Sequence, residues 1–519
     1  MNIASRIRLA GDALFALLDP EHDLMPTGGY ETAHDLGRWW DAVLRIEETI
    51  GLAIPPELEA ASLRNLSRLT DNPDALLMNR TDISWMRERA RINPHNFRET
   101  LLAFGGLVTY RNSRWAQESV ARLVASIDRV LLADGRLDFQ SLGSWGTLPL
   151  TDDPSHTEIE RGRWFDATAT SGRCLEALVW LHEATHDAQT LDVAARIAEH
   201  HLLASLAPDH SIRREIIDPQ NVGHNHSYHG TLRGLLRFGL LTGDRRYVDA
   251  VARTYRSTRG VLVKQSGWAP HDLGKTRFAN RAGDPVADPA SAGDAAQIAL
   301  WLALEAGHDD LLDDVERIVR ARLVPAQMTA DDGEARAREL GAWCIHGPSH
   351  GGKGCTPDVL AAVAHTLCDV QRNSRTATAA GTRINLHFDS DDDGVTVRCR
   401  RERNAPPGTP EAEVAVTVHV PLGLRIRIPQ WTPDASVKLR VDGREVKLRR
   451  DRTWAVVDAP ALRRGSRVVM TFALPEKQTE ERMPSGRVYR FRWLGDRIAA
   501  ASPTDEPRPF YPPLDQYST

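Results

Sequence analysis

Apolar residues recur at helical spacing, every three or four positions, up to about residue 373 of the chain. Segments such as RWWDAVLRIEETIGL, GRCLEALVWLHEAT and DVLAAVAHTLCDVQR have the length of helices, and Gly, Pro and Asp turns separate them. About twelve such segments follow one another without intervening strands. This pattern predicts a six-hairpin (α/α)6 toroid. A right-handed solenoid of helical repeats is the alternative, although no repeat of fixed period is visible.

The pattern changes once, to an alternation of apolar and polar residues after residue 380. EVAVTVHVP and SRVVMTFAL are examples, and turn signals such as VDGREV separate these short segments. The alternation predicts an antiparallel β-sandwich packed beside the helical domain. We therefore expect a catalytic barrel over residues 1–375, a sandwich over 383–500 and a tail over 501–519 that returns to the barrel.

Composition excludes several classes of partner. The chain has 519 residues, 41% hydrophobic content and a net charge of −5, and no basic block invites nucleic acid. No apolar stretch approaches the roughly 20 residues of a membrane span, and the N-terminus has the pattern of an amphipathic helix rather than a signal peptide. Five scattered cysteines favour a reducing compartment. We expect a cytoplasmic, bacterial protein that is a monomer or a homodimer.

Four segments together resemble a known enzyme family. They are HNHSYHGTLRGLLRFGLLTGDRRYVDAVARTY, GCTPDVLAAVAHTL, RINLHFDS and LGLRIRIPQWTPDASVKLRVDG. In this order and spacing they resemble stretches of glycoside hydrolase family 127, the β-L-arabinofuranosidases, over residues 160 to 500. The resemblance implies a hydrolase that releases a terminal sugar from small oligosaccharides or glycosides. It also implies a helical toroid followed by a β-sandwich.

The chain departs from that family at the metal site. The family binds zinc through a Glu-x-Cys pair and two adjacent cysteines, one of which is the nucleophile. Here the segment PASAGDAAQIALWLAL has no cysteine and offers only Asp294, and Gly354 precedes Cys355 where the family has two cysteines. The thiolate nucleophile therefore cannot be transferred to this chain, and we expect no cofactor.

A glycine-rich segment, WCIHGPSHGGKGC, carries the remaining candidates for a metal site. Its spacing is C-x-H-x3-H-x4-C, and two thiolates with two imidazoles complete a tetrahedral zinc site in other proteins. The residues are Cys344, His346, His350 and Cys355. The preferred interpretation is a loop without metal before a helix that begins near Pro357. In that interpretation His350 and Lys353 face the substrate pocket.

Other clusters of polar and aromatic residues are candidates for sugar binding. Aromatic rings stack on sugars and histidines cluster in pockets, but each of these residues can instead pack in the core or form a turn. Three histidines within six residues of GHNHSYHG exceed what a surface needs. The candidates are His34, Arg38, Trp39, Trp164, Asp166, His224, His226 and Tyr228.

Glycoside hydrolysis needs two groups across the scissile bond. In the resembling family the acid lies in a loop that here contains Asp272, so we expect Asp272 to be the general acid. We also expect its apolar neighbours Trp268 and Pro270 to raise its pKa, as this role requires. Asp294 is the candidate base or nucleophile, and its alternative role is a charge at the start of a helix. Two other functions stay open: a lyase or epimerase that uses His226 and Tyr228, and a carbohydrate-binding relative without catalysis.

Overall fold

The computed structural model describes residues 1–26, 32–80, 82–89, 95–137, 171–280, 282–329, 339–344, 356–402, 411–504 and 510–517. Within these residues, twelve helices build a barrel. They are α1 (Ile3–Ala16), α2 (Thr32–Ile50), α3 (Pro56–Leu69), α4 (Asn96–Arg111), α5 (Arg114–Arg129), α6 (Ser171–Thr185), α7 (Ala188–Ala204), α8 (Asn225–Thr242), α9 (Arg245–Ser257), α10 (Pro289–Ala306), α11 (Leu312–Ile318) and α12 (Pro357–Arg372).

The even-numbered helices form a closed inner ring. Each contacts the next along the chain, from α2 through α10 to α12, and α12 returns to contact α2. The odd-numbered helices lie outside this ring, each against a neighbouring inner helix. Closure of the ring confirms the (α/α)6 toroid and excludes the open solenoid.

Inner and outer helices differ in where their polar residues lie. Almost all of the inner helix α10 is buried, and its sequence, PASAGDAAQIALWLALEA, is apolar on every side. The outer helix α9, RRYVDAVARTYRS, buries one stripe and exposes the rest. A helix that is apolar all round must be covered on all sides. This requirement places it in the inner ring.

Close approach between inner helices depends on a small residue in α2. A Cβ atom added at Gly37 would lie 2.6 Å from the backbone oxygen of Glu99 in α4, closer than van der Waals contact allows. Any side chain at this position would push the two helices apart. Gly37 thus holds Arg38, the next residue of α2, beside Glu99.

The strands form a second domain. Besides a small hairpin, β1 (Leu18–Asp19) and β2 (Met25–Pro26), they are β3 (Arg375–Thr378), β4 (Gly381–Ile384), β5 (Ser390–Asp391), β6 (Val395–Arg401), β7 (Ala412–Val418), β8 (Gly423–Arg427), β9 (Lys438–Val441), β10 (Arg444–Val446), β11 (Arg450–Asp451), β12 (Trp454–Val457), β13 (Arg467–Phe472), β14 (Glu476–Arg482), β15 (Val488–Leu494) and β16 (Arg497–Ser502).

Two sheets of this domain enclose a common apolar core. Their strand orders are β10-β9-β13-β7-β6-β5 and β11-β12-β8-β4-β3, and β14-β15-β16 form a third sheet. All described pairs in these sheets are antiparallel except β4 with β8. Inward-facing residues such as Val397, Val416 and Ile426 fill the core. The first of these strands begins at Arg375, eight residues before the boundary expected from the sequence.

The two domains meet through buried charges and aromatic rings. Glu316 of α11 accepts a hydrogen bond from Arg401 at 2.7 Å and forms an ion pair with Arg427 at 3.0 Å. Both arginines lie on strands of the sandwich. Tyr511, beyond the last strand, donates a hydrogen bond to the backbone oxygen of Ala321. The sandwich is therefore joined to the barrel rather than tethered to it. None of the helices in the described part of the chain has the length and apolarity that a membrane crossing requires.

Candidate active site

Charged side chains from the first two turns of the inner helices meet at one end of the barrel. Each inner helix follows an outer helix in a hairpin, so all six run in the same direction and begin at the same end. We call this cluster the amino-terminal mouth. Its members are His34 and Arg38 of α2, Arg98 and Glu99 of α4, Arg173 of α6, His226 of α8, Asp294 of α10 and Asp358 of α12.

Glu99 lies at the centre of the amino-terminal mouth. Its side chain is completely buried, and three guanidinium groups bind its carboxylate. The Nε atoms of Arg38 and Arg98 lie 3.0 and 3.1 Å from its oxygens, and Nη2 of Arg173 lies 3.1 Å away. A buried carboxylate needs such partners to stay ionised. Glu99 thus holds three cations together in the barrel.

His226 and Asp294 form a hydrogen-bonded pair beside Glu99. Nδ1 of His226 lies 2.5 Å from Oδ2 of Asp294, and its other ring nitrogen, Nε2, faces Arg38 and Arg98. Because a guanidinium can only donate, Nε2 must be the accepting nitrogen and Nδ1 must carry the proton. Burial lowers the pKa of His226 to about 4, against the opposing charge of Asp294. The imidazole is therefore neutral at pH 7, with its lone pair on Nε2.

Asp294 is held from its other side by an arginine deeper in the barrel. Arg233 of α8 lies 2.6 Å from Oδ1 of Asp294, and it also binds Glu176 of α6. Burial opposes ionisation of Asp294, but the hydrogen bond from His226 and the charge of Arg233 outweigh it and hold the pKa of this carboxyl below its usual range. Burial raises the pKa of Glu176 to about 7, against the opposing charge of Arg233.

Asp272 lies in a neighbouring loop, and its surroundings do not suit a general acid. It accepts hydrogen bonds from Nη2 and the backbone N–H of Arg277, both at 2.8 Å, and lies 2.9 Å from Nδ1 of His271. Burial opposes its ionisation, yet these two partners keep its pKa below the usual range. The expected rise in pKa is wrong, because polar partners outweigh the apolar neighbours. Trp268 packs instead in an apolar cluster with the third sheet.

The same loop region brings a second carboxyl group to the mouth. Asp288 is the N-cap of α10, where it accepts hydrogen bonds from the backbone N–H of Ala290 at 2.8 Å and from the hydroxyl of Ser291 at 2.9 Å. Burial raises the pKa of Asp288. His224, which precedes α8, lies against His271 with ring centroids 4.7 Å apart and planes tilted by 39°, and burial lowers the pKa of His224 well below the ordinary value.

Two aromatic candidates lie in the core rather than in the amino-terminal mouth. Trp39 is fully buried, and its indole N–H donates to the backbone oxygen of Leu14 at 3.0 Å in the outer helix α1. The hydroxyl of Tyr228 donates a hydrogen bond to the backbone oxygen of Ser205 at 3.4 Å, and burial raises its pKa above the ordinary value. Trp39 therefore offers no ring face to a sugar, and Tyr228 does not form an acid–base pair with His226. Their positions on the helices turn them outward.

Several expected site residues lie outside the described residues. They are Trp164, Asp166, His346, His350, Lys353 and Cys355. Cys344 is described and is buried. Among the described residues, no group of three or more His, Cys, Asp or Glu side chains is placed to hold a metal ion. The zinc site of the glycine-rich segment stays an untested alternative.

Most of the charged groups in and below the mouth were not singled out from the sequence. They are Arg98, Glu99, Arg173 and Asp358 of the mouth and Glu176 and Arg233 deeper in the barrel. All of them except Asp358, which is half-buried, are buried charges in helices that are otherwise mostly apolar, as in SGRCLEALVWL. Charged residues are almost never fully buried unless paired. A charged residue within an apolar inner helix was therefore the sequence signal for a buried ion pair. This signal does not reveal which residue is the partner.

The chain matches no protein-family model and no curated protein. Solved structures are similar to it in fold. A family 127 β-L-arabinofuranosidase from Geobacillus stearothermophilus T6 matches with a TM-score of 0.58 and 14% identity, over 96% of this chain and 80% of that one. A second family 127 β-arabinofuranosidase matches with a TM-score of 0.60 and 13% identity, over 95% and 81% of the two chains.

A third similar structure matches a smaller part of this chain. It is a cellobiose 2-epimerase from Bacillus thermoamylovorans B4167, with a TM-score of 0.50 and 14% identity, over 70% of this chain and 98% of that one. The two family 127 matches cover nearly the whole chain, whereas the epimerase match does not. The resemblance noted in the sequence is thus confirmed for the fold, and the chain shares with family 127 glycosidases a six-hairpin helical toroid joined to a β-sandwich.

Proposed function

We propose that this protein is a glycoside hydrolase that releases a terminal sugar from small oligosaccharides or glycosides at the amino-terminal mouth. The observation that carries the proposal is the neutral His226 held by Asp294 in that mouth. Carbohydrate-processing folds of this kind host several chemistries, so the fold alone does not select one. The choice among these chemistries therefore depends on the residues at the mouth.

His226 is the proposed general base. Asp294 fixes the proton on Nδ1 and leaves the lone pair of Nε2 directed into the mouth. In hydrolysis, Nε2 takes a proton from a water molecule whose oxygen attacks the anomeric carbon. An imidazole held neutral at pH 7 is available for this step without prior deprotonation. Asp294, bound by both His226 and Arg233, is assigned the role of positioning residue.

Asp288 is the proposed general acid, in place of Asp272. The leaving oxygen must receive a proton as its bond to the anomeric carbon breaks, and burial raises the pKa of Asp288 as this role requires. In this scheme His226 activates a water molecule and does not attack the sugar itself, so the sugar undergoes a single displacement. We therefore expect inversion at the anomeric carbon.

A panel of aryl glycosides in both anomeric forms tests the proposal. We expect turnover of at least one, with a product of inverted configuration by NMR. Asp288→Asn should lose activity on natural glycosides, whose leaving groups need a proton, and keep it on aryl glycosides with good leaving groups. His226→Gln should lose both. Binding of sugars without any turnover would identify a non-catalytic relative and refute the proposal.

Proton abstraction from a sugar is the second candidate function. A neutral imidazole flanked by two guanidiniums, those of Arg38 and Arg98, also suits removal of a carbon-bound proton, since the guanidiniums would stabilise the resulting anion. Such a lyase or epimerase would need an acid other than Tyr228. Absorbance near 235 nm from an unsaturated product identifies a lyase, and uptake of deuterium from solvent into unreacted sugar identifies an epimerase.

A further inference from the structure

We infer that the substrate sugar carries a carboxylate, and that Arg38, Arg98 and Arg173 bind it. The inference rests on the proposed function, because it concerns the substrate of the same mouth. It is argued from the convergence of three buried guanidiniums on one carboxylate, Glu99, and on imidazole nitrogens.

Two of the guanidiniums compete for a single acceptor. Nη2 of Arg38 and Nη2 of Arg98 both face Nε2 of His226, the latter at 3.2 Å. That nitrogen has one lone pair and can accept one hydrogen bond. Whichever arginine binds it, the other has a buried N–H directed at an occupied acceptor. A buried donor left without a partner costs about 1–3 kcal/mol.

The third guanidinium also has a donor without a partner among the described residues. Arg173 binds Glu99 through Nη2 and His95 through Nη1, but its buried Nε has no hydrogen-bond partner within the described part of the chain. The side chain is 4% exposed, so bulk water does not satisfy it. Oε2 of Glu99 and Oδ1 of Asp358 are buried in the same state. Donors and acceptors of the mouth are therefore both incompletely paired, and the three guanidiniums are the groups that an anionic ligand would bind.

A carboxylate on the substrate would accept hydrogen bonds from these guanidiniums. Its two oxygens match the paired N–H groups of guanidinium, which is the usual reason for arginine in carboxylate recognition. The mouth also lies at the amino-terminal ends of six helices, where helix dipoles favour negative charge. A neutral sugar hydroxyl also accepts hydrogen bonds, but it does not form the charge-assisted pair that a carboxylate forms with a guanidinium.

Binding of the carboxylate would also prepare the base. As Arg38 and Arg98 turn toward the substrate carboxylate, Nε2 of His226 loses its hydrogen bonds and becomes free to accept a proton from water. An acidic sugar would then activate the site that cleaves it, whereas a neutral sugar would leave Nε2 covered. This coupling predicts that acidic and neutral sugars differ in kcat as well as in KM.

Matched pairs of substrates test the inference. The pairs are 4-nitrophenyl glucoside with glucuronide and galactoside with galacturonide, each in both anomeric forms. Hydrolysis confined to the uronides supports the inference. Equal or faster hydrolysis of the neutral members overturns it and leaves the proposed function in place. If no member of any pair is hydrolysed, the proposed function is wrong for these sugars. A binding measurement then decides whether the site prefers an acidic sugar.

That measurement compares free glucuronate and galacturonate with glucose and galactose by isothermal titration calorimetry. We expect binding of the acids to be at least tenfold tighter, and equal binding would overturn the inference. Arg98→Gln should lower kcat/KM for a uronide by about 10- to 100-fold, the effect of one hydrogen bond to a charged group, and should reduce the preference for the free acid over the neutral sugar in the binding measurement. If that variant fails to fold, Arg173→Lys, which keeps the charge and loses the planar pair of donors, replaces it. Arg237→Gln, outside the mouth, is the control.

Discussion

The two ends of the barrel contain the same types of residue, but their arginines and carboxylates are paired differently. Each has a histidine bound to an aspartate: His226 with Asp294 at 2.5 Å at the amino-terminal mouth, and His365 with Asp41 at 2.9 Å at the other end. We call the latter the carboxyl-terminal mouth. It is lined by the last turns of all six inner helices, including Asp41, Arg45, Trp180, Arg237, Trp301, Glu305, Asp369 and Arg372.

Guanidiniums at the carboxyl-terminal mouth are matched by carboxylates. Arg45 lies 2.7 Å from Asp41 and over the ring of Trp180 at 4.4 Å, and Arg237 lies between Glu183 at 3.0 Å and Glu305 at 2.6 Å. A cavity of about 360 Å³ opens here. The cavity thus lies at the end where these two arginines have their own carboxylate partners, whereas at the opposite end three guanidiniums share Glu99. The proposed function follows the second arrangement and not the cavity.

Replacement of each of the two histidines, in separate variants, tests this comparison most strongly. His226→Gln should lower kcat by about 10²- to 10⁴-fold, the usual contribution of a general base. His365→Gln removes a matched histidine from the other end and should leave kcat within about threefold of the unmodified protein. Steady-state kinetics on a responsive glycoside measures both. Equal losses in the two variants would contradict the assignment of chemistry to one mouth.

Arg233 should matter most for stability, since it lies between the two mouths. Arg233→Met leaves Asp294 and Glu176 buried without their shared cation. Removal of one partner from a buried ion pair costs about 3–5 kcal/mol. Chemical denaturation monitored by circular dichroism measures the free energy of unfolding. A loss below about 1 kcal/mol would show that water or another residue replaces the guanidinium.

Stability should fall in mild acid because of the histidines at the amino-terminal mouth. Burial lowers the pKa of His34 and of His226 to about 4 from 6.5. The unfolded chain therefore binds more protons than the folded one between these values. The stabilisation is complete above pH 6.5 and is lost as the pH falls toward 4. Each unit of pKa difference corresponds to about 1.4 kcal/mol.

Thermal denaturation between pH 4.5 and 7 checks this expectation. The melting temperature should rise over the interval, and His226→Gln should flatten the rise because it removes one of the histidines whose pKa burial lowers, whereas Glu176, whose pKa is raised to about 7, opposes the rise in both proteins. Asp294 contributes in the same direction only in stronger acid, since its pKa is lowered from an already acidic value. A melting temperature that is constant or falls from pH 4.5 to 7 would contradict the neutral state of these histidines.

The smallest effect is expected for Arg237→Gln at the carboxyl-terminal mouth. Its partners, Glu183 and Glu305, have exposed fractions of 35% and 42%, so water can replace the lost guanidinium. Pairs of this kind contribute about 0–1 kcal/mol. We expect a change in unfolding free energy within that range, measured by urea denaturation, and unchanged kinetics. A loss of activity would show that the two ends are coupled.

Several features of the protein were predictable from its sequence. The change in periodicity near residue 375 separates the barrel from the sandwich, since side-chain direction repeats every 3.6 residues in a helix and every two in a strand. The isolated charge of Asp294 in an apolar helix and the histidines of GHNHSYHG pointed to the amino-terminal mouth. These signals are local, because each depends on residues within one or two turns of the same helix.

Partners and roles were decided only by the tertiary structure. His226 and Asp294 are 68 residues apart in the chain, and Arg38 and His226 are 188 apart, so no local pattern pairs them. Asp272 and Asp288 lie in one loop region, yet two partners from the same loop hold the pKa of the first down while burial raises that of the second. Trp39 carries an aromatic ring suited to a sugar, and the helix turns it against α1. Residue types set the available chemistry, but burial and charged neighbours set each group's proton affinity, and both depend on how distant segments pack.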